Sequence, residues 1–459
     1  MKKRIYDFLM RHSREPGRLR TEQYIIIAFA AVILFGAILL TMPVASRDGH
    51  SSGFLTALFT ATSATCVTGL TLVDTYLQWS AFGQIVIISL IQIGGLGFMT
   101  IASVFFFLLH RKIGLQQRLI IAQGFSLNDV DGVVHLVQNV LKGTFLFEFT
   151  GAAILTARFS RDVGFWRALR WGVFHSVSAF CNAGFDILGY LKPGSSLACY
   201  ANDFVVNMTI MLLIVIGGLG FYVWSDLMRR GGRRHLSLYT KLVLTITAIL
   251  IVGGASLFAI FEWNNPATFG QFSSGGKALA SFFQSVTCRT AGFATVDEGK
   301  LTEASKAISV LLMLIGGSSG STAGGIKTVT FGVLILAAVS AMRGRSRVTA
   351  YGRTIANDQI RQAMTIMILM IGLAFGGAVF LSATNGFPFI ASLFETASAL
   401  GTVGLTTGIT PTLNTASRIL LIMFMYFGRV GIMTFSLSFL FGDRPEERYH
   451  YAEGKVLIG

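Results

Sequence analysis

The sequence predicts an all-α polytopic membrane protein in which four span–pore-helix–span repeats, eight transmembrane helices in total, surround one pore in a pseudo-fourfold arrangement. Hydrophobic residues make up 53% of the 459-residue chain and charged residues only 13%, against about 25% charged in a soluble domain. The mean hydropathy of +0.65 is too high for a chain that must cover its apolar surface in one aqueous core. The third observation is a stretch that occurs four times, as FTATSATCVTGL, FHSVSAFCNAGF, FFQSVTCRTAGF and FETASALGTVGL.

Each copy of this stretch begins at a phenylalanine and reaches a glycine ten residues later. The phenylalanines are Phe59, Phe174, Phe282 and Phe394, and the glycines are Gly69, Gly184, Gly292 and Gly404. A shorter glycine-containing motif, which we call the echo, follows each copy as IGGLGF, IGGLGF, IGGSSG and FGRVG, starting at Ile93, Ile216, Ile315 and Phe427. The copies are therefore one repeated unit.

The repeats divide the chain into six segments. A basic arm at 1–23 is predicted to be cytoplasmic because it carries seven Lys and Arg residues. The pore repeats follow at 24–112, 131–230, 236–345 and 360–442, and a cytoplasmic tail occupies 443–459. Eight spans place both termini on one side of the membrane, which the basic arm assigns to the cytoplasm, so the protein is expected in the plasma membrane. The net charge of +15 is ascribed to this topology and to contact with anionic lipid, with no indication of nucleic acid binding.

Within each repeat the apolar runs predict a span, a short half-helix and a second span. The first spans are predicted at 24–42, 133–157, 238–261 and 364–381. The half-helices, which are too short to cross about 30 Å of hydrocarbon, are predicted at 54–65, 166–180, 278–287 and 389–400. The second spans are predicted at 82–109, 204–224, 307–341 and 419–441, each followed by basic residues that would face the cytoplasm.

The glycine loops after the half-helices are predicted to form an ion filter. Irregular backbone at membrane depth must be buried in protein or line water, and rings of carbonyl oxygens can replace the hydration shell of a cation. Glycine suits such a loop because the conformation needs φ values that a Cβ penalises, and the inward carboxyl ends of the half-helices favour a cation. The fourth copy contains TVG, as in the TVGYG filter of potassium channels. The predicted filter residues, with a potassium ion at their carbonyls, are Thr68, Gly69, Ala183, Gly184, Ala291, Gly292, Val403 and Gly404.

The third second span carries IGGSSGSTAGGIK in its middle, from Ile315 to Lys327. Each glycine costs about 1 kcal/mol in a helix interior, so the run predicts a break in the helix, and broken backbone at this depth must face a cavity. The loop residues are Gly316, Gly317, Ser318, Ser319, Gly320, Ser321, Thr322, Ala323, Gly324 and Gly325. The alternative is a packing face of small residues, which we favour for the other echoes.

Two cationic residues lie within predicted spans. Arg429 occupies the echo position at which the other copies have Gly95, Gly218 and Gly317. A guanidinium at the centre of a span costs about 2.5–3.5 kcal/mol on insertion scales, so we predict a functional position below the filter, where it opposes cation passage. The alternative is an ion pair with Glu395 or Glu148. Lys327 is nearer the cytoplasmic half and can snorkel.

The four filter segments, the echoes, SAFCNAGF, TCRTAGF and IGGSSGSTAGGIK together resemble the Trk/Ktr/HKT superfamily of potassium transporters, and within it the KtrB-type membrane subunits of Ktr potassium uptake systems. The resemblance implies that the four glycines select potassium, that the loop in the third repeat is a gate, and that Arg429 and Lys327 are charges of that gate. It further implies sodium-dependent uptake with sodium as a second candidate ion, a homodimer, and regulation by a cytoplasmic nucleotide-binding ring of the KtrA type. No organic cofactor is expected in this chain.

Two other functions compete with this prediction. A sodium- or proton-coupled secondary transporter of another solute would show inverted repeats with broken spans in two matched copies, whereas the sequence predicts one broken copy and four units of the same direction. An enzyme would need a nucleophile and a base or metal ligands within the spans. The nearest pair, His175 and Ser178, lies on a half-helix, and no HExxH motif occurs. We therefore predict that the chain is not an enzyme.

Overall fold

The computed structural model describes residues 21–97, 133–228 and 236–431, with side chains from 23 and from 137 in the first two segments. Most of the predicted basic arm at 1–23, the cytoplasmic end of the first repeat, the basic segment at 229–235, the end of the fourth repeat and the tail at 443–459 lie outside the described residues.

Helices make up most of the described chain, and they fall into four units. The first unit contains α1 (Thr21–Thr41), α2 (Phe54–Thr65), α3 (Thr75–Gln78) and α4 (Ala81–Leu96). The second contains α5 (Val133–Val163), α6 (Phe165–Phe180), α7 (Phe204–Leu219) and α8 (Phe221–Met228). The third contains α9 (Leu238–Glu262), α10 (Ser274–Thr287), α11 (Glu303–Leu314) and α12 (Thr328–Met342). The fourth contains α13 (Asn357–Asn385), α14 (Phe389–Gly401) and α15 (Thr415–Val430).

A two-residue hairpin separates the third and fourth units. Its strands, β1 (Thr349–Ala350) and β2 (Arg353–Thr354), are antiparallel, with Thr349 opposite Thr354. The turn between them consists of Tyr351 and Gly352, both with positive φ, as a tight two-residue hairpin requires.

The half-helices α2, α6, α10 and α14 begin and end close to the predicted bounds. The largest difference is at α10, which begins at Ser274 rather than at residue 278. Ser273 caps this helix, because its hydroxyl oxygen accepts a hydrogen bond from the Gly276 amide at 3.3 Å. The polar residues that precede the apolar run thus form the first turn of α10.

The prediction that only the third unit has a broken second span was wrong. In the second unit the chain bends by 91° between α7 and α8, at Gly220 with a φ of 95°. The helices α4 and α15 end in the same register, before Gly97 and Gly431, which also have positive φ. A glycine in this conformation ends an α-helix because only a residue without Cβ adopts it readily. The last glycine of each of these three echoes is therefore a helix terminator.

Four helices of the described chain are long and apolar enough to cross a membrane, namely the first helices of the four units within Gln23–Thr41, Val137–Val163, Leu238–Glu262 and Asn357–Asn385. The bent pair α7–α8 makes a fifth if it is counted as one span. The other second helices are shorter because they end at the echo. The half-helices lie inside this bundle, and their apolar and hydroxyl side chains are mostly buried.

Candidate ion-conducting site

The four predicted filter glycines meet around one axis. All have positive φ, from 67° at Gly184 to 96° at Gly69. A Cβ on Gly69 would lie 2.5 Å from the Ala183 oxygen, and a Cβ on Gly184 would lie 2.7 Å from the Ala291 oxygen. The series continues, because Gly292 faces the Val403 oxygen and Gly404 faces the Thr68 oxygen in the same way. Each glycine thus packs against the carbonyl before the glycine of the next unit, and the fourth unit closes the ring on the first.

The residue two positions before each filter glycine is also in the left-handed region. These residues are Val67, Asn182, Thr290 and Thr402, with φ between 51° and 67°. Such a conformation costs a side-chain-bearing residue about 1–3 kcal/mol, and strain of this kind tends to collect at functional sites. One residue without positive φ separates the two left-handed residues in each loop, so the peptide planes alternate in direction. Four loops in matched register share this strained geometry.

Hydroxyl side chains tie each loop to the end of its half-helix. The amides of Gly69 and Gly404 each donate a hydrogen bond of 3.0 Å to a serine oxygen, Ser63 and Ser398 respectively. In the other two units the hydroxyl acts as donor: Ser178 donates to the Phe185 carbonyl at 2.7 Å, and Thr287 to the Phe293 carbonyl at 2.6 Å. These bonds hold the loop against sliding along its own helix.

The predicted starting phenylalanine of the third copy, Phe282, was wrong by one residue. Phe59, Phe174 and Phe394 are buried, whereas Phe282 is 44% exposed and its neighbour Phe283 is fully buried. The anchoring hydroxyl of this copy, Thr287, is also one residue nearer the glycine than the serines of the other copies. The third copy therefore has one residue fewer between its buried phenylalanine and its glycine. The sequence did not reveal this difference, because Phe282 stands at the spacing of the other copies directly before Phe283.

The predicted loop of the third unit is non-helical in the structure, between α11 and α12. Its Gly324 packs against the side chain of Thr402, and its Gly325 lies near the Gly401 carbonyl, so this part of the loop lies next to the fourth filter segment. The Thr322 hydroxyl donates to the Phe180 carbonyl at the end of α6, at 3.2 Å. The loop is thus placed directly against two of the four half-helix ends.

The other half of the loop is held by the bend in the second unit. The Ser318 amide donates to the Gly218 carbonyl at 3.0 Å, and the Phe221 amide donates to the Gly320 carbonyl at 2.8 Å. The Tyr239 hydroxyl on α9 donates to the Ser319 carbonyl at 2.9 Å. The loop therefore has ordered partners in several units rather than a packing role along one helix.

Arg429 contacts this loop through backbone carbonyls. Its guanidinium donates to the carbonyls of Thr322 in the loop and of Gly94 at the end of α4, and to the Gly95 carbonyl at 3.2 Å. The alternative of an ion pair with Glu395 or Glu148 was wrong, since both acids have other partners.

The two acids are occupied by neighbours of their own. Glu395 accepts hydrogen bonds from the side chains of Thr406 and Thr410, each at 2.6 Å. Glu148 accepts from the Gln92 side chain at 3.2 Å. Glu395 therefore holds the chain that leaves the fourth filter.

Lys327 turns back into the loop, where its ammonium group donates to the Ala323 carbonyl at 2.9 Å. Snorkelling toward the cytoplasm is not observed.

One cation at the site escaped the sequence reasoning. Arg289, in the TCRTAGF segment, is only 7% exposed. Its guanidinium donates to the hydroxyls of Thr247 at 3.4 Å and Thr328 at 3.2 Å, and no carboxylate pairs with it in the described part of the chain. The signal was present, because Arg289 is the one charged residue within the four repeated stretches besides Glu395.

Comparison with known proteins gives a consistent result. The family model described as TrkH, cation transport protein, matches residues 3–446. The chain is 40% identical to the potassium/sodium uptake protein NtpJ of Enterococcus hirae over 97% of this chain and 99% of that protein. It is 39% identical to the Ktr system potassium uptake protein B of Bacillus subtilis, over 96% and 97% respectively. The crystal structure of the potassium transporter TrkH from Vibrio parahaemolyticus is similar in fold, with a TM-score of 0.68, 18% identity, and coverage of 93% of this chain and 86% of that one. The predicted all-α polytopic membrane fold is confirmed.

Proposed function

This chain belongs to the TrkH family of cation transport proteins, and on that premise we propose that it is the potassium-translocating subunit of an uptake system in the bacterial plasma membrane. The family consists of ion transporters rather than enzymes, and the chain is a multi-pass membrane protein. The names of the relatives support potassium as the ion, because one is called a potassium/sodium uptake protein and another a Ktr system potassium uptake protein.

The observation that carries this proposal is the closed ring of filter glycines. Around that ring the backbone oxygens of Thr68, Ala183, Ala291 and Val403 each meet a glycine of the neighbouring unit. A cation on the axis would exchange its hydration shell for such oxygens. Each half-helix ends directly before its filter loop, so its carboxyl end adds partial negative charge there. Selectivity in this scheme depends on the spacing of the oxygens, which the hydroxyl anchors and the four left-handed glycines hold.

The gate in this proposal is the loop of the third unit together with Arg429. The loop lies against the filter segment at Thr402 and against the end of α6 at Phe180. Arg429 joins it to the end of α4. A conducting state requires the loop to leave this position, and the positive charges of Arg429 and Lys327 raise the barrier for a cation while it stays.

We extend the proposal to the partners of the subunit. The word "system" in the name of the Ktr relatives fits a protein that works with a further component, which we take to be a cytoplasmic nucleotide-binding ring of the KtrA type acting on a homodimer of this chain. Exposed Arg343, Arg345, Arg347 and Arg353 around the hairpin offer a basic surface to an acidic partner or to lipid. Dependence on sodium fits the potassium/sodium name of NtpJ.

The test is rubidium uptake into liposomes that contain the purified subunit, with potassium or sodium as competitor. We expect uptake that potassium suppresses at far lower concentration than sodium does. Protein-free liposomes give the background. Uptake that neither ion suppresses, or that requires a different solute, would refute the proposal and favour a coupled secondary transporter.

A further inference from the structure

The third unit contains a buried amide–carboxyl pair just outside its filter segment. Gln284 on α10 is fully buried, and Glu298, in the 3₁₀ turn Glu298–Lys300, is 3% exposed. The Gln284 amide nitrogen donates to both carboxyl oxygens of Glu298, at 2.9 and 2.8 Å. Among the described residues no other group donates to this carboxyl. A buried carboxylate with one neutral partner is costly, so the pair calls for an explanation.

The fourth unit makes an equivalent contact between its half-helix and the loop after its filter, but there the acid is on the half-helix. Gln284 and Glu395 both follow the buried phenylalanine of their half-helix, and Glu298 and Thr410 both lie six residues after the filter glycine. The Thr410 hydroxyl donates to Glu395 at 2.6 Å. Equivalent positions therefore meet in both units, although the acid is on the loop in one and on the helix in the other.

The first two units lack this contact. Thr60 and His175, which follow the buried phenylalanine there, bond instead to carbonyls of their own helices, Thr56 at 2.9 Å and Trp171 at 2.7 Å. The contact is thus a feature of two adjacent units and not a requirement of the repeat itself.

The pair fixes the chain that leaves the third filter. It joins the middle of the half-helix to a turn six residues past Gly292, so the filter loop is held at both ends. The same turn touches the fourth unit, where a Cβ on Gly299 would lie 2.8 Å from the Thr407 carbonyl. The Thr407 amide in turn donates to Glu395 at 3.0 Å. The two contacts are therefore neighbours, and a shift of one filter segment would reach the other.

We propose that Gln284 and Glu298 form a clasp that positions the third filter segment for discrimination between potassium and sodium, and that Glu298 serves in this clasp as a neutral acid. The inference rests on the proposed function, since discrimination has meaning only for a potassium pathway. The pair also has too few donors: Gln284 Oε1 is buried without a partner in the described chain, and a protonated carboxyl would bring a further donor to the pair, which a carboxylate cannot.

The surroundings of Glu298 favour its neutral form. Burial raises the pKa of Glu298 to about 8; the hydrogen bond from Gln284 lowers it in part, and the nearby acids Asp297 and Glu262 raise it. Cys288 at the end of α10 also interacts electrostatically with Glu298, whereas Lys300 in the same turn pairs with Asp297 at 3.4 Å. An acid with a raised pKa keeps its proton below that value and loses it as pH rises through it. Above a pH of about 8 the turn therefore carries a poorly solvated charge, whose burial is costly, and it should no longer hold the filter segment in place.

The experiment measures how much potassium and how much sodium half-inhibit rubidium uptake into liposomes, at pH about 6 and about 9, on either side of this pKa. Gln284→Leu removes the amide and should lower the sodium-to-potassium ratio of these concentrations about fivefold, as expected for one hydrogen bond of about 1 kcal/mol. Glu298→Gln mimics the neutral acid and should keep, at both pH values, the ratio that the wild type shows at the lower pH. The double variant Gln284→Glu/Glu298→Gln exchanges the two groups and should restore the ratio at the lower pH.

Asp297→Asn is the matched control, because it removes an exposed charge from the same turn and keeps an acceptor for the Gly299 amide. It should leave the ratio at the lower pH unchanged and move the alkaline loss of discrimination only slightly toward lower pH, because Asp297 contributes to the raised pKa of Glu298. A folded Gln284→Leu protein with the wild-type ratio would overturn the clasp, and so would a Glu298→Gln protein that still loses discrimination at alkaline pH. An equal effect of Asp297→Asn would assign the change to surface charge and also overturn it.

A second measurement separates this inference from the proposed function. Wild-type protein without potassium-sensitive uptake would refute the function alone. The clasp would then be judged by infrared spectroscopy at pH about 6, in which the protonated carboxyl absorption, to which other buried acids such as Glu148 can contribute, should decrease in Glu298→Gln and stay at the wild-type level in Asp297→Asn. An unchanged band in Glu298→Gln would overturn the neutral acid whatever the transport result.

Discussion

Substitution of one filter glycine tests whether the ring of carbonyls is the selective element. Gly69→Ser adds a Cβ that would lie 2.5 Å from the Ala183 oxygen and 3.2 Å from the Gly184 Cα. Both neighbours are backbone atoms and cannot turn away as a flexible side chain can. Because ordinary contact begins near 3.4 Å, the Ala183 carbonyl must move by between about 0.5 and 1 Å, and displacement of about 1 Å costs up to about a hundredfold in preorganised sites.

The chain offers a control with the same backbone strain. Gly408 has a φ of 92°, against 96° at Gly69, but nothing lies within 4 Å of the Cβ it would carry. Both serine variants should suffer the strain of a left-handed L-residue, about 1–2 kcal/mol, while only Gly69→Ser disturbs the ring. Comparison of the two therefore separates loss of stability from loss of ion coordination.

The assay is rubidium uptake per inserted molecule, competed with potassium and sodium, beside thermal unfolding. We expect Gly69→Ser to lower uptake at least about tenfold and to let sodium compete better. Gly408→Ser should lower the melting temperature, as Gly69→Ser does, while its ion competition stays normal. Unchanged competition in Gly69→Ser would refute the filter role of the first unit. Equal transport defects in both variants would show that strain rather than coordination is responsible.

Three further predictions follow from the site. Deletion of residues 317–322 should raise flux with ion preference preserved, because the loop lies beside the filter; abolished flux in correctly inserted protein would make the segment structural. Arg429→Gln should raise flux about tenfold, since a charge at 4 Å opposes a cation by about 4 kcal/mol at an effective dielectric constant near 20 before screening; slower uptake with a lower melting temperature would remove Arg429 from the barrier. Phe283→Ala should lower the free energy of unfolding by about 3–5 kcal/mol and Phe282→Ala by much less, as thermal unfolding can measure; equal effects would contradict the shifted register of the third unit.

The half-helices and the filter glycines could be predicted because their signals are local. A short apolar run followed by a glycine at fixed spacing defines each half-helix, and α2 begins and ends at the predicted residues. The bend at Gly220 could not be predicted in this way, because a small-residue run allows either close helix packing or a break. Both occur within four residues here: Gly217 packs against the Phe180 carbonyl, while Gly220 takes positive φ and turns the chain.

The register of the third copy and the partners of the charges depend on tertiary contacts. Adjacent Phe282 and Phe283 are equally apolar in sequence, and only the packed bundle decides which one is buried. The partners of Arg429 were missed for a related reason. Sequence reasoning pairs a buried cation with an acid. The ends of interrupted helices, however, supply backbone carbonyls without a partner in the helix, and these can accept hydrogen bonds from a cation instead.

The carbonyl partners of Arg429 connect its charge to the gate in two ways. The ends of helices carry partial negative charge, so the carbonyls of Gly94 and Gly95 at the end of α4 are groups that would otherwise attract a cation below the filter. The guanidinium occupies them, which removes an attractive site and adds a repulsive charge at one place. Through Thr322 the same group also holds the loop of the third unit in place. Under the proposed function, the bond between Arg429 and Thr322 therefore both places a positive charge near the pathway and holds the loop beneath the filter. Opening of the loop must break this hydrogen bond.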